Sequence, residues 1–344
     1  MSDEANRKIV YVLVSSEKDY YFEEFLISYY SLKMYNPKTD VWLITDDVTS
    51  QRIEKFLNIL NVDVHKVSID FASSISPRLR SRYIKTSIRE IVSGDFLYLD
   101  CDTLISGSLE EVFELKTPVN MVLDEHRKLQ KEERSKDIEK KVKIFEPSFR
   151  SLYDRYFNSG VIFCRDCKEA HDFFDEWNKE YKKSNQYGNL QDQPPLHFVN
   201  IKRKCVITEI DGKFNCQMDR GVKYLHDARV IHYLGLQYET NKAIGSLSYL
   251  MHEIANKSLF EEYRKKHYVI TEDLDRIMHN PKGSIKDSVT VPTDSPIYRI
   301  LNSNSFLLLC VQNNLFPAWF RLKERILGKQ LALYRLLKKK RHKV

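Results

Sequence analysis

Two hydrophobic patterns alternate along the first hundred residues. Short β-branched runs, Ile9–Val14, Val41–Thr45 and Val62–Val67, have the continuous apolar character of strands buried on both faces. Between them apolar residues recur at helical spacing. Phe22, Phe25, Leu26, Tyr29 and Leu32 mark a helix over Tyr20–Tyr35 that Asn36-Pro37 stops, and a second helix spans Ser50–Leu60. This alternation predicts an α/β domain with parallel pairing and right-handed crossovers, Ile9–Val14 as its central strand and Ser15–Asp19 as the loop at that strand's C-terminal edge. Pro77 opens a helix through about Val92 carrying Arg78, Arg80, Arg82, Lys85 and Arg89, most of them on a solvated face and one or two leaning toward the end of the next strand. That strand, Phe96–Leu99, runs into Asp100-Cys101-Asp102.

The second half is less regular. Ser108 with Glu111 has the spacing of a capping box, and Val119–Leu123 is a strand ending at Asp124. Glu125–Glu146 is charged, with core residues only at its ends, and is expected to form a mobile insertion over the site. Tyr156–Gly160 leads into a strand at Val161–Cys164, and Asp166–Lys183 is an amphipathic helix packing Phe173, Phe174 and Trp177. Leu190-Gln191-Asp192-Gln193 precedes prolines expected to break helix, and the late strands Val206–Ile210 and Val230–Ile231 follow, the second ending in His232.

Ligands of open α/β sheets sit at the C-terminal ends of strands. Two carboxylates there suit a hard divalent cation that also grips phosphate, and an imidazole completes such a set. An Asp-x-Asp pair alone is equally a solvated strand end, so its context decides. Neither Gly-x-Gly-x-x-Gly nor Gly-x-x-x-x-Gly-Lys occurs, which removes support for dinucleotide and P-loop chemistry.

Composition narrows the class. The 344 residues suffice for a large α/β domain with an appendage. The formal charge of +7 is local: Ala318–Val344 holds ten Lys or Arg against Glu324, and removing that surplus of nine leaves about −2. The body is therefore no nucleic-acid binder. From Pro296 onward leucine and aromatic positions alternate with these cations, the signature of a helix lying in an anionic membrane surface, with packing on its own domain or a partner chain as the alternative. No signal-peptide pattern and no apolar run of roughly twenty residues occurs, so the expected location is cytoplasmic, peripheral on the membrane. The six cysteines are scattered and read as reduced structural thiols.

In order and approximate spacing, Leu97-Tyr98-Leu99-Asp100-Cys101-Asp102-Thr103-Leu104, Phe157-Asn158-Ser159-Gly160-Val161, Asp192-Gln193 and His232-Tyr233-x-Gly235 resemble the motifs of family 8 glycosyltransferases, the retaining GT-A enzymes that include glycogenin and bacterial lipooligosaccharide galactosyltransferases. The resemblance covers about Ile9 to Gly235. It implies a GT-A domain, a Rossmann-like mixed sheet with flanking helices, over residues 1–243; the chain after it reads as a helical acceptor-side region over 244–295 and the basic amphipathic tail over 296–344. It implies UDP-glucose or UDP-galactose as donor, a saccharide or lipid-linked acceptor, and Mn²⁺ or Mg²⁺ held by Asp100, Asp102 and His232.

The same resemblance places Ser15, Ser16 and Tyr20 or Tyr21 at the uridine, and Tyr83, Lys85, Cys101, Asp124, Asn158, Asp192, Gln193 and Gly235 along the donor. Lys85 stands where the family has Arg and supplies charge without the bidentate fork. The family continues His-x-x-Gly-x-x-Lys-Pro-Trp; here Leu236–Asn241 intervenes and Lys242 is the candidate for the displaced diphosphate clamp. The mechanism implied is front-side, the leaving phosphate helping to take the acceptor proton while Gln193 or Asp192 steadies an oxocarbenium-like sugar, with Asp192 as nucleophile the alternative. Two other classes fit the residues: a nucleotidyltransferase, for which Ser15–Asp19 lacks a Gly-rich basic loop, and a non-catalytic glycan-binding module that needs no metal set.

Overall fold

The computed structural model describes residues 7–72, 74–129, 133–150, 154–217, 224, 227–232 and 260–279. Gly235, Lys242 and the basic tail over 296–344 lie outside the described residues. Among the described residues no helix is long and apolar enough to cross a membrane.

The chain is a mixed α/β fold. A seven-stranded sheet has the order β3-β2-β1-β4-β7-β6-β8, with β1 at Lys8–Leu13, β2 at Asp40–Asp46, β3 at His65–Ile69, β4 at Phe96–Leu99, β6 at Val119–Leu123, β7 at Phe157–Cys164 and β8 at Ile207–Glu209. The first four of these pair in parallel, as the alternation predicts. Strand β7 instead runs antiparallel to both β4 and β6. That reversal builds the site, because the C-terminal end of β4 now meets the start of β7, where the Asp100 amide donates to the Gly160 carbonyl at 2.7 Å.

Strand β1 is buried on both faces. Ile9, Tyr11 and Leu13 join one core layer and Val10 and Val12 the other. The first layer is covered by α1 (Tyr21–Tyr35) and α2 (Asp47–Ile59), the second by α3 (Pro77–Thr86), α4 (Ile88–Ile91), α7 (Lys168–Gln186) and α8 (Gln193–Lys202).

A second small sheet has the order β5-β10-β9, with strands at Thr103–Ile105, Val230–His232 and Cys216–Gln217; of these the hydrophobic pattern predicts the one at Val230 but not its two partners. Its antiparallel register puts His232 opposite Thr103, one residue from Asp102.

Four expectations need correction. The helix from Pro77 is interrupted at Ser87, whose hydroxyl donates to the Tyr83 carbonyl at 2.9 Å and competes with the helical ladder. The capping box does not form: α5 (Glu110–Phe113) starts after Leu109, and Glu111 pairs with Lys213. The charged insertion contains a helix, α6 (Glu133–Lys143), anchored where Val142, Phe145 and Phe149 pack against Phe198 and Ile201. It is part of the body beside α8. Finally, Pro194 and Pro195 start α8, since the first turn has no use for their missing N–H groups.

Residues 260–279, within the expected acceptor-side region, extend the first core layer. Tyr268 packs edge-on against Phe22 and Phe56 at 5.5 and 5.0 Å, and Leu274 and Met278 are buried in the same cluster.

His197 on α8 gives a pH prediction. It is 2% exposed, against the rings of Tyr156 and Phe149. Burial pulls its pKa down to about 4, only partly offset by the Arg155 backbone. Between about pH 6.5 and pH 4 the unfolded chain takes up a proton that the folded chain refuses. The stabilisation is whole above about pH 6.5 and is lost as pH falls toward 4, amounting to as much as about 3 kcal/mol. Denaturant titrations at pH 7 and 4.5 should show a smaller acid loss for His197→Phe than for the native chain; an equal loss refutes the assignment.

Candidate functional site

Asp100 and Asp102 leave β4 on the same side of the turn, with Cys101 between them facing the other way. The Cys101 thiol is buried and donates to the Val12 carbonyl at 3.4 Å, so its side chain points away from the space that the two acids face and only its backbone lies along the expected donor path. Asp102 faces His232, Oδ1 to Nε2 at 3.1 Å. One ligand atom from each of Asp100, Asp102 and His232 lies within 4.8 Å of the others.

The space between them is kept open by Gly160. A Cβ there would sit 2.2 Å from His232 Cε1 and 2.9 Å from Asp100 Oδ2. Two carboxylates, an imidazole and a floor with no side chain fit a divalent ion of mixed oxygen and nitrogen preference. Burial pushes the Asp102 carboxyl up, but the His232 charge and hydrogen bond outweigh it and hold its pKa below the ordinary value. The same pair raises His232 against its own burial.

Beside this group lies a buried ionic cluster. Lys85, 1% exposed, reaches Asp100 Oδ1 at 3.0 Å and Asp192 Oδ2 at 3.5 Å. Arg82 faces Asp192 Oδ1 at 3.5 Å, Ser159 donates to Asp192 Oδ2 at 2.8 Å, and the Trp177 indole fixes the Asp192 carbonyl at 3.0 Å. Burial disfavours the Asp192 carboxylate, yet Arg82, Lys85 and Ser159 together hold its pKa well below the carboxylate range. The Tyr98 hydroxyl donates to Asp100. Of the five cations on the helix after Pro77, Arg82 and Lys85 lean on the site, Arg80 pairs with Asp46, and Arg89 turns to the carbonyls of Gly94 and Val92.

Asn158 and Asp124 adjoin through a 2.8 Å hydrogen bond from Asn158 Nδ2. The Gln193 side chain is anchored on the Phe157 carbonyl at 3.0 Å. In the loop after β1, the Ser15 and Ser16 hydroxyls both donate to Asp19, and Arg52 donates to Ser15 at 2.8 Å. The Tyr20 hydroxyl donates to Glu261, and Tyr83 packs on Tyr181 while donating to Asn185 at 3.3 Å.

With this geometry in place, a family-wide sequence match decides the assignment: the glycosyl transferase family 8 pattern spans residues 12–238, about two thirds of the chain. The chain belongs to glycosyl transferase family 8. Its mixed sheet with flanking helices is a GT-A fold, and the matched segment contains Asp100, Asp102, Asn158, Asp192 and His232. Solved structures similar to this chain include the galactosyltransferase LgtC in complex with donor and acceptor sugar analogues (17% identity, 75% of this chain and 99% of that one, TM-score 0.47). They also include mouse xyloside xylosyltransferase 1 (13% identity, 69% and 99%, TM-score 0.45) and GlyE of Streptococcus pneumoniae (17% identity, 76% and 64%, TM-score 0.44). No curated protein matches the sequence.

Sequence reasoning on this family 8 chain missed Tyr98, Ser159 and Asn215. Ser159 lay inside a motif that had been singled out. Asn215 ends a 3-10 turn, Gly212–Asn215, that leaves no periodic signal.

Proposed function

We propose that this glycosyltransferase moves a hexose from a UDP-sugar to a saccharide acceptor with retention of configuration, assisted by Mn²⁺ or Mg²⁺ held by Asp100, Asp102 and His232. The observation that carries this reading is the convergence of those three side chains, from two sheets and two distant parts of the chain, on one space floored by Gly160. When bound, the ion acts as a Lewis acid toward the charge that develops on the leaving diphosphate.

The protein's own groups supply the rest. Asp192, kept ionised between Arg82, Lys85 and Ser159, presents fixed negative charge to an oxocarbenium-like sugar, and its ion pairs favour that electrostatic role over attack as a nucleophile. Gln193, braced on β7, orients beside it. Asn158 and Asp124 form a polar wall suited to sugar hydroxyls. Ser15, Ser16 and Tyr20 or Tyr21 border the loop proposed for the uridine. Lys85, itself buried, contributes its charge through Asp100 and Asp192, the two carboxylates it bridges.

A panel of UDP-hexoses with Mn²⁺ and mono- and oligosaccharide acceptors tests this. Expected is UDP release with one hexose, abolished by EDTA and restored by Mn²⁺. No UDP release with any donor, or release of pyrophosphate from a nucleoside triphosphate instead, overturns it.

A further inference from the structure

A chain of four buried side chains runs from Asp124 to the metal-facing imidazole. Asp124 Oδ1 accepts from Asn158 Nδ2 at 2.8 Å, Asn158 Oδ1 accepts from Asn215 Nδ2 at 2.9 Å, and Asn215 Oδ1 faces His232 Nδ1 at 2.9 Å. Asn215 is wholly buried and His232 nearly so. The direction of every bond follows from its ends. A carboxylate only accepts, so Asn158 turns its amide nitrogen to Asp124. Its oxygen then receives the Gly160 backbone N–H at 2.9 Å, which can only donate, and two independent partners agree on the same orientation. Asn158 Oδ1 therefore demands a donor from Asn215, which must turn its own oxygen to His232. Nδ1 has to carry a proton, so Nε2, which faces Asp102 Oδ1 at 3.1 Å, is the nitrogen that a cation would take in exchange for its proton.

We infer that Asn215 is a positioning residue for His232, fixing its tautomer and ring plane through an amide relay that begins at Asp124. Partners of this kind on the far nitrogen of a ligating histidine typically govern metal affinity by 10–100-fold. The relay also ties the wall proposed for the donor sugar to the metal group. The first consequence rests on the metal site proposed above, which Mn²⁺ binding by the native chain tests by itself, and the second rests also on the donor wall proposed there.

The two consequences separate in two variants of the full chain. Asn215→Ala removes the acceptor of the Nδ1 proton, and the dissociation constant for Mn²⁺, measured calorimetrically without any sugar nucleotide, should rise about 10–100-fold. Asn215→Asp keeps an acceptor for His232 but offers Asn158 no donor. It should bind Mn²⁺ as tightly as the native chain while the donor KM rises, because Asn158 loses the bond that sets its amide. A general packing defect would weaken both variants together. Equal loss of Mn²⁺ affinity in the two variants, or an Asn215→Ala value within twofold of native, overturns the inference. A check free of variants uses the ¹⁵N-histidine-labelled native chain loaded with Mg²⁺: His232 should show a slowly exchanging proton on Nδ1, and a proton on Nε2 overturns the assignment. Native Mn²⁺ binding with an unchanged donor KM in Asn215→Asp counts against the coupling to the donor wall.

Discussion

Gly160→Ala is expected to abolish metal-dependent transfer, with kcat/KM falling by at least about 10²–10³-fold, the loss usually seen when a preorganised charge-stabilising group is displaced. The cause is steric. A methyl group at this position would lie 2.2 Å from the His232 ring and 2.9 Å from both Asp100 Oδ2 and Asn158 Oδ1. None of the three can retreat at low cost: Asp100 is held by Lys85, Tyr98 and its own amide on the Gly160 carbonyl, Asn158 by Asp124, and His232 by Asn215. The Gly160 backbone is buried, its N–H bonded to Asn158 Oδ1 and its carbonyl to the Asp100 amide, so the strand cannot shift at low cost either. Mn²⁺ titration and UDP release measured on the same preparation check this, with circular dichroism confirming the fold. Activity within tenfold of native would show that Asp100, Asp102 and His232 do not share one ion.

The sheet and its first two layers were legible because β-branched runs and helical spacing survive as patterns whatever the tertiary context. The three residues of the candidate metal site are also nameable from the sequence, since Asp100, Asp102 and His232 each sit at or just past the end of an apolar run. What the pattern could not carry is pairing. The two antiparallel contacts of β7 join segments 34 to 68 residues apart and β5 meets β10 across at least 125, pairings that a local pattern does not record, and a three-residue strand such as β5 has no periodicity to detect. Cys101 shows the opposite case: alternation along the turn already turned it away from the side of the two acids, and motif position alone suggested otherwise. Pro194 and Pro195 were misread because the same residue that breaks a helix interior is well suited to its first turn. Asn215 was invisible because its role comes entirely from what its amide touches.

Removal of Arg264 is expected to destabilise the fold by about 3–5 kcal/mol, the usual consequence of stranding one partner of a buried ion pair. Its guanidinium grips both oxygens of Glu23 at 2.7 and 2.9 Å, donates to the Glu17 and Asp19 carbonyls, and lies over the Tyr20 ring at 4.7 Å. Glu23 is fully buried, so without Arg264 its charge has lost its partner in a site that water does not reach. Thermal unfolding of Arg264→Ala should fall by roughly 10 °C or more for a body of this size. Arg264→Lys should recover only part, since an ammonium cannot hold two carboxylate oxygens and two carbonyls at once. Glu23→Gln placed on the Arg264→Ala background should return stability by removing the lone charge; no gain there, or a native midpoint in Arg264→Ala alone, would refute the pairing as a source of stability. The consequence reaches the site, because Glu17 and Asp19 belong to the loop where Ser15 and Ser16 are tied to Asp19. Arg264 thus makes the order of a loop at the start of the chain depend on a segment some 240 residues later, and a chain truncated at residue 243 should lose that loop's shape even where the sheet still forms.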